Sequence, residues 1–449
     1  MHVDEPDRGY PTVADPAPAA AGEGLPLDAP ALPVPLAPTT AAERIETIDI
    51  LRGLALFGII AANMRGFAAP SHVYFETHLM WTGLADRVAQ AFIEIFIQGK
   101  FITIFAFLFG VGFGVQLSRA EERGAKFGGV YTRRLLVLIG FGLVHGLLIW
   151  WGDILLPYAL TGFLLLLFWK RADRTLFGWA VVAYLVPLAL IGVAVIVPML
   201  IGQPSDGPPP VTPETLQQTI AAYGEGSWIY VQRIRTTEAL TMNWGYFFFM
   251  FMQLLALFLA GVLAWRRRLL LPPVESLPAY RKAMRWGFGV GLAGNGAVAV
   301  IDWIEPLTFF PPSPRLLLVT AIQTVAIPAL STAYVCAVIL VCRDEAWRAR
   351  LRGFGAVGRT ALSNYLLQSV ICTLIFYSYG MGLYGEVGPA LLLIPTLMIY
   401  AAEVWVSGWW LARFRFGPAE WLWRSLTYGT RQPMRRAVSA GVEEAAARS

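Results

Sequence analysis

Charged residues are scarce in this chain. They make up 14% of its 449 residues, whereas hydrophobic residues make up 56%. A water-soluble domain carries about 25% charged residues. So few charges cannot cover the surface of a soluble protein of this size, and lipid must therefore form part of its solvent. The sequence predicts a membrane protein.

Cysteine is also rare, which excludes two further classes. The three cysteines, Cys336, Cys342 and Cys372, lie in or beside apolar runs, and no CxxC spacing occurs. Neither a disulfide framework nor a zinc site is expected, and inert buried thiols are the default. The chain has no Walker phosphate loop, no nucleotide-binding glycine fingerprint and no HExxH pair. No metal site is expected. The net charge of +5 is explained by Lys and Arg residues in the cytoplasmic loops of a membrane protein, and it does not indicate nucleic-acid binding.

The N-terminal segment lacks the basic start and apolar core of a signal peptide. Residues 1–41 are rich in Pro and Ala, which predicts a disordered cytoplasmic tail. We expect a transmembrane domain over residues 42–436 and a second cytoplasmic tail over 437–449. The longest polar insertion, residues 202–238, is expected on the extracytoplasmic side.

Ten apolar runs approach the length of about 20 residues that a membrane-spanning helix needs. They cover residues 44–69, 88–116, 135–151, 154–169, 176–201, 240–265, 286–304, 316–342, 357–379 and 390–411. The first half of the second run is amphipathic, and the run is too long for one simple span. The sequence predicts an all-α fold, a polytopic membrane bundle of about ten transmembrane helices.

Basic residues predict the orientation of these helices. They cluster in residues 119–134, 170–174, 266–285, 343–352 and the tail from 413. These segments follow alternate spans and so lie on one side, which the excess of Lys and Arg marks as cytoplasmic. An even number of spans places both termini there.

The first span, RIETIDILRGLALFGIIAANMRGFAA, holds charged residues at its start and an amide near its end. Thr47 is expected to cap the helix, and Asp49 suits its first turn. Asp49 and Arg52 share one face. They are either a helix-start ion pair or an anion-binding site at the mouth of a pocket. Asn63, roughly 16 Å beyond Arg52 along a helix, bonds either a neighbouring helix or a substrate.

Histidines are few, and two of the four are candidates for chemistry. Polar groups at membrane depth are costly unless they are paired or hydrated, so they are functional candidates. His78, in the loop after the first span, is a candidate proton acceptor or a surface residue. His145 lies inside the third span and is either structural or part of a proton relay. Asp153 follows it, either as a relay group or as a turn residue.

Four further polar residues fall in or beside the spans. Arg359 is either a cytoplasmic anchor or an anion-binding residue. Asn364 and Gln368 are four residues apart and must find partners inside the bundle. Lys100 either extends its charge to the interface or pairs with Glu94.

Several of these stretches resemble the YeiB-like family of bacterial membrane proteins, domain of unknown function 418. The resemblance covers roughly residues 45–435. The stretches that carry it include ETIDILRGLALFGIIAANMRGF, GKFITIFAFLFGVGFGVQL, the H-x6-GDIL pattern, GRTALSNYLLQS and FGPAEWLWRSLTYG.

The first span is also similar to the first core helix of the transmembrane acyltransferase superfamily, which includes heparan-alpha-glucosaminide N-acetyltransferase. The matching order is Arg52 with Gly53, then Asn63, then His78, then Trp81 with Gly83 and Leu84. The interval from Asn63 to His78 is a few residues longer than in the animal enzyme. The resemblance implies that Asn63 and His78 form a catalytic pair.

The leading hypothesis is therefore an inner-membrane acyltransferase that moves an acyl group from cytoplasmic acyl-CoA to an extracytoplasmic glycan, lipid or small molecule. Acyl-CoA would bind at Asp49, Arg52 and Arg359. The other pocket or relay candidates are Lys100, His145, Asp153, Asn364 and Gln368. Expected partners are membrane lipids, the acyl donor, an envelope acceptor and, as an option, a second copy of the chain. A small-solute transporter, with a path lined by polar residues inside the spans, is the alternative. A non-catalytic membrane scaffold is the third.

Overall fold

The computed structural model of the protein describes residues 45–125, 127–202, 211–308 and 311–436. Within these ranges the chain forms α-helices joined by short loops and has no β-strand. The helices are α1 (Glu46–Ala68), α2 (Ser71–Phe75), α3 (Leu84–Phe96), α4 (Lys100–Glu122), α5 (Phe127–Val144), α6 (Leu155–Phe168), α7 (Asp173–Ile201), α8 (Pro213–Glu225), α9 (Trp228–Arg266), α10 (Leu277–Ile304), α11 (Pro314–Val341), α12 (Glu345–Arg350), α13 (Arg352–Arg359), α14 (Ala361–Phe376), α15 (Pro389–Arg413) and α16 (Pro418–Tyr428).

The bundle presents an apolar surface that only lipid can cover. In the described part of the chain, eight helical segments are long and apolar enough to cross a membrane. Two shorter apolar helices, α6 and α14, account for the remaining two of the ten expected runs. Large apolar side chains are exposed along the outer helices, for example Leu200 on α7 and Ile304 on α10. The prediction of an all-α polytopic membrane bundle is confirmed.

Helix α1 occupies the middle of the bundle, where it packs against α4, α13, α14 and α15. Small residues allow this close packing. A Cβ atom on Gly53 would lie 2.0 Å from the carbonyl oxygen of Phe354, and one on Gly58 would lie 2.0 Å from the ring of Phe101. The prediction that Thr47 caps α1 is wrong, because the helix begins at Glu46 and has no side-chain cap.

The second predicted span is broken into two helices. Helix α3 ends at Phe96 and α4 begins at Lys100, with Gly99 in the left-handed region at φ 82°. Glycine adopts this conformation without steric cost, and the chain can therefore change direction there. The break lies against α11, where the Ser331 hydroxyl donates to the Lys100 carbonyl at 3.1 Å.

Two other predicted spans have different limits. Helix α9 has 39 residues and begins at Trp228, inside the predicted 202–238 insertion, because Ser227 accepts a hydrogen bond from the Tyr230 N–H and caps it there. The predicted 357–379 span is interrupted at Thr360, whose backbone is not helical, and α14 begins only after it.

Successive membrane helices run in alternate directions, which gives the bundle two distinct ends. We call the end that holds the N-terminus of α1 the basic end, since the α4–α5, α6–α7 and α9–α10 connections and helix α16 lie there with their arginines. The other end, which holds the C-terminus of α1 and the connection to α3, we call the opposite end.

Candidate functional site

The regular geometry of helix α5 ends at Val144, immediately before His145. The chain widens into a π turn over His145–Ile149 and then leaves helical geometry until α6 begins at Leu155. A π turn at the end of a helix frequently accompanies a functional site. Here it places His145 inside the bundle and directs the following turn, with Asp153, back towards it.

His145 bonds a carboxylate on one side and a hydroxyl on the other. Its Nδ1 lies 2.8 Å from Oδ1 of Asp153, and its Nε2 lies 2.8 Å from Oγ of Ser369 on α14. An ionised carboxylate only accepts, and Nδ1–H is therefore the donor to it. In that tautomer Nε2 accepts from the Ser369 hydroxyl. We call these three residues the His145 network.

The His145 network is enclosed and held in place from several directions. All three residues are buried. Asp153 also accepts from the Leu156 N–H through Oδ2 at 2.7 Å, at the start of α6. The Tyr365 hydroxyl accepts from the Ile154 N–H at 3.3 Å, and its ring centroid lies 4.9 Å from that of His145. The arrangement can pass a proton between the serine hydroxyl and the imidazole.

Residues one turn away from Asn63 on α1 lie near the chain segment that follows His145. On the same side of α1, Phe67 stacks on Trp150 with ring centroids 4.0 Å apart, and Ile59 packs in one cluster with Ile154. Met64, next to Asn63, also lies at the same depth in the bundle as Cys372 on α14, because their sulfurs are 3.9 Å apart. Cys372 lies one helical turn beyond Ser369, and α1 and α14 run in the same direction.

His78 belongs to a separate cavity at the opposite end. It sits half-buried in a 3-10 turn, Thr77–Leu79, and lines a space of about 220 Å³. The cavity lies among α3, α10 and the start of α15, and its polar lining includes Asp86, Gln90, Glu94 and Asp302. Asn63 is not among its lining residues. The pairing of Asn63 with His78 that the resemblance implies stays a prediction.

A second set of polar residues lies between this cavity and the break between α3 and α4. Lys100 is buried, and its Nζ donates to the backbone carbonyl of Glu94 at 2.5 Å. Gln90 donates to the Glu94 carboxylate. Arg65, also buried, interacts electrostatically with Glu94 and Asp302. Lys100 therefore lies beside Glu94, but the bond it makes is to the backbone carbonyl and not to the carboxylate.

Arginines from three elements lie at the basic end and act electrostatically on one another through Arg134. Arg52 pairs with Asp49 at 3.0 Å, and its Nη2 lies 3.9 Å from where a Cβ atom on Gly112 would be. Arg134 on α5 interacts electrostatically with Arg52 and with Arg424 on α16. It also stacks on the Trp423 ring, 3.7 Å from the centroid. We call Arg52, Arg134 and Arg424 the arginine cluster. Arg359, the last residue of α13, is half-buried at the same end.

Asn364 and Gln368 find the bundle partners that their spacing predicts. Asn364 donates to the hydroxyls of Ser407, at 2.9 Å, and Thr360, at 3.1 Å. Gln368 donates to the buried carboxylate of Glu403 at 2.8 Å. These bonds link α14 to α15 along its length. They describe a packing role for both residues.

Glu420, on the neighbouring helix α16, caps the N-terminus of α14. Its carboxylate accepts from the Leu362 N–H at 2.7 Å, from the Ser363 N–H at 3.1 Å and from the Ser363 hydroxyl at 2.5 Å. A helix start leaves such N–H groups without intrahelical partners, and an acid there is favoured by the helix dipole. Burial nevertheless raises the pKa of Glu420.

We expect this carboxyl to make stability depend on pH. A pKa that is raised on folding contributes stability in full below the unfolded value, about 4.3, and loses it as the pH rises through the folded value. The melting temperature of the wild type should therefore fall relative to Glu420→Gln as the pH rises from 4 to neutrality. Glu345→Gln, at an exposed position of the same end, should leave the wild-type curve unchanged. Parallel wild-type and Glu420→Gln curves would contradict the expectation.

Ser369, Arg65, Arg134 and Arg424 are site residues that the sequence did not reveal. A serine in an apolar helix has no spacing that distinguishes it, and Ser369 became visible only through its contact with His145. In the described ranges no group of three or more His, Cys, Asp or Glu residues could hold a metal ion. The three cysteines are buried and free.

The fold and these buried polar groups define a multi-pass helical membrane protein. A family model described as "Protein of unknown function (DUF418)" matches residues 264–430. The chain is 38% identical over 419 residues to the uncharacterized protein YxaH of Bacillus subtilis (strain 168), covering 89% of this chain and 98% of that protein. It is 31% identical over 410 residues to the uncharacterized protein YeiB of Escherichia coli (strain K12), covering 86% and 96%. The chain belongs to the YeiB-like DUF418 family.

Proposed function

We propose that the protein is a membrane-bound acyltransferase that moves an acyl group from acyl-CoA to a glycan, lipid or small-molecule acceptor across the bacterial inner membrane. The basic end would be cytoplasmic, as its Lys and Arg content favours. The observation that carries the proposal is the arginine cluster beside the start of α1, on the same face of that helix as Asn63. Eleven residues bring Asn63 to within about 20° of Arg52 around the helix.

The arginine cluster suits the phosphate groups of a CoA donor. Guanidinium groups bind phosphate oxygens through paired, charge-assisted hydrogen bonds. Like charges held close together are costly, which favours an anion between them. Asp49 orients Arg52 through the 3.0 Å ion pair, and Arg359 lies at the same end to extend the site.

The reacting carbonyl would lie near Asn63. The roughly 16 Å helix rise from Arg52 to Asn63 matches the reach of an extended pantetheine arm. The Asn63 amide can donate to a carbonyl oxygen as negative charge develops on it. We assign the general base to His145, since Phe67, one turn beyond Asn63 on α1, stacks on Trp150 in the segment that follows His145, and the adjacent Met64 contacts Cys372, one turn beyond Ser369. The catalytic role of His78 that the resemblance implies stays a prediction.

Binding of acetyl-CoA tests the donor site. Arg52→Ala should weaken binding about 10- to 100-fold, because a hydrogen bond to a charged group contributes about 1.5–3 kcal/mol and 1.4 kcal/mol is tenfold. Binding of radiolabelled acetyl-CoA to the purified protein in nanodiscs would measure this. The matched control is Arg350→Ala, at the same end but stacked on Trp347. Equal losses in both variants, or no binding by the wild type, would refute the donor site.

Turnover of acetyl-CoA tests the assignment of the base. His145→Gln should abolish hydrolysis and transfer while the protein still binds acetyl-CoA. His78→Gln serves as the comparison, since His78 lies in the other cavity. Turnover that survives His145→Gln but fails in His78→Gln would reverse the assignment.

One observation favours transport as a second candidate function. The break between α3 and α4 lies inside the bundle beside Lys100 and Ser331, and the polar His78 cavity approaches it from the opposite end. Interrupted helices with polar groups are typical of transporter substrate sites. Solute uptake into proteoliposomes that is lost in Lys100→Gln, by a protein that binds no acetyl-CoA, would favour transport over acyl transfer.

A further inference from the structure

Ser369 occupies the position of an activated nucleophile in the His145 network. Its hydroxyl lies 2.8 Å from Nε2 of His145, whose Nδ1 lies 2.8 Å from the Asp153 carboxylate. The three residues come from α14, the π turn and the turn before α6, so that only folding assembles them. Carboxylate, imidazole and hydroxyl in this order form the arrangement that activates a serine in unrelated folds.

We propose that Ser369 is a nucleophile, activated by His145 and oriented through Asp153, and that it carries the acyl group as an ester during transfer. The nucleophilic character of Ser369 is independent of the donor. The statement that the ester forms from acyl-CoA rests on the proposed acyltransferase function.

Both half-reactions balance with the groups present. The Ser369 oxygen attacks the thioester carbonyl carbon, and its proton passes to Nε2 of His145. The C–S bond then breaks, and the CoA sulfur leaves as the thiol with that proton. In the second half, an acceptor hydroxyl or amine attacks the ester and gives its proton to His145. Ser369 leaves and takes the proton back.

The surroundings of Ser369 suit such an intermediate. The Ser369 hydroxyl has a single proton, which it gives either to Nε2 of His145 at 2.8 Å or to the Tyr365 carbonyl one turn earlier at 3.2 Å. A helical serine is commonly satisfied by that bond, and its hydroxyl therefore does not need His145 as a packing partner. All three side chains are buried inside the bundle, away from bulk water. The two bonds that Asp153 accepts, from His145 and from the Leu156 N–H, fix the imidazole in one orientation.

A lipophilic fluorophosphonate tests the nucleophile directly, since such a probe modifies activated serines with loss of fluoride. The purified full-length protein would be treated in nanodiscs and the modified residues mapped by mass spectrometry. We expect at least tenfold more label on Ser369 than on Ser378, a serine whose hydroxyl bonds the Gly226 carbonyl and no histidine. Wild-type protein without label on Ser369 would overturn the proposal, and this result needs no variant.

Two variants separate activation from mere accessibility. His145→Gln should lower labelling of Ser369 at least tenfold, and Ser369→Ala should remove it, with both variants monodisperse in detergent. Ser378→Ala should label as the wild type does. Undiminished labelling in folded His145→Gln protein would also overturn the proposal, because the serine would then be reactive without its base.

Radiolabelled acetyl-CoA distinguishes failure of this inference from failure of the proposed function. A base-labile acetyl group on Ser369 supports both. Fluorophosphonate labelling of Ser369 by a protein that binds no acetyl-CoA leaves the nucleophile standing and refutes acyl-CoA as the donor. Turnover of acetyl-CoA that continues in Ser369→Ala refutes the ester while the acyltransferase function stands.

Discussion

Replacement of Asp153 by alanine is expected to lower the free energy of unfolding by about 2–6 kcal/mol, because each of the two buried donors left without an acceptor costs about 1–3 kcal/mol. Asp153 is buried and accepts from both His145 Nδ1 and the Leu156 N–H. The substitution leaves both donors without an acceptor inside the bundle. Unfolding by denaturant in mixed micelles, followed by circular dichroism, would measure the loss.

A double-mutant cycle shows whether the loss belongs to the pair. His145→Ala combined with Asp153→Ala should cost about 1–3 kcal/mol less than the sum of the single variants, because residues in direct contact are not additive. Asp173→Ala is the matched control, since Asp173 pairs with Arg266 and Arg267 where all three are solvent-accessible. Each of these exposed ion pairs should contribute less than about 1 kcal/mol to the free energy of unfolding. Additive losses for the buried pair would show that the 2.8 Å contact contributes nothing to stability.

Replacement of Gly358 by alanine is expected to disrupt the packing of α13 on α1. A Cβ atom there would lie 1.8 Å from the carbonyl oxygen of Asp49 and 2.9 Å from the Gly53 nitrogen. Both are backbone atoms, which cannot rotate away, so the two helices must separate. Overpacking of this kind costs about 1–3 kcal/mol and occasionally more. The yield of monodisperse protein and the melting temperature should both fall.

The matched control for Gly358 lies in the same short helix. A Cβ atom on Gly355 would lie 3.5 Å from the Ile50 side chain, an ordinary contact. Gly355→Ala should therefore be tolerated, and it gains helix propensity because alanine is favoured over glycine. Equal destabilisation by both substitutions would indicate that α13 does not tolerate a methyl group anywhere. Because Gly358 packs on Asp49, only its substitution should also weaken acetyl-CoA binding.

Much of the architecture could be predicted because hydrophobicity acts locally along the chain. The runs that became α1, α7, α11 and α15 are apolar over lengths that a bilayer requires, and no distant residue was needed to recognise them. Spans that depend on a single backbone conformation were predicted less well. The break at Gly99 is one example, since it lies against Ile327 and Ser331 on α11, which are distant in the chain.

The candidate site could be predicted only in part. Asn364 and Gln368 were recognised as bundle residues because two amides at helical spacing in an apolar run must find partners. Arg52 was recognised with Asp49, three residues away. Arg134 and Arg424 resemble ordinary loop arginines in the sequence, and they become candidates only because α5 places Arg134 where it interacts with both Arg52 and Arg424.

The sequence by itself determined that this protein crosses the membrane many times, that it is helical and that it belongs to the YeiB-like family. Tertiary structure decided which histidine meets a carboxylate and a hydroxyl. His78 lines a cavity at the opposite end of the bundle. His145 and Ser369 are 224 residues apart and meet at 2.8 Å. Length and hydropathy determine which segments become helices. The rotation and crossing angle of each helix determine its contacts, and close packing at small residues such as those along α1 determines that rotation and crossing angle. The arginine cluster and the His145 network follow from that packing.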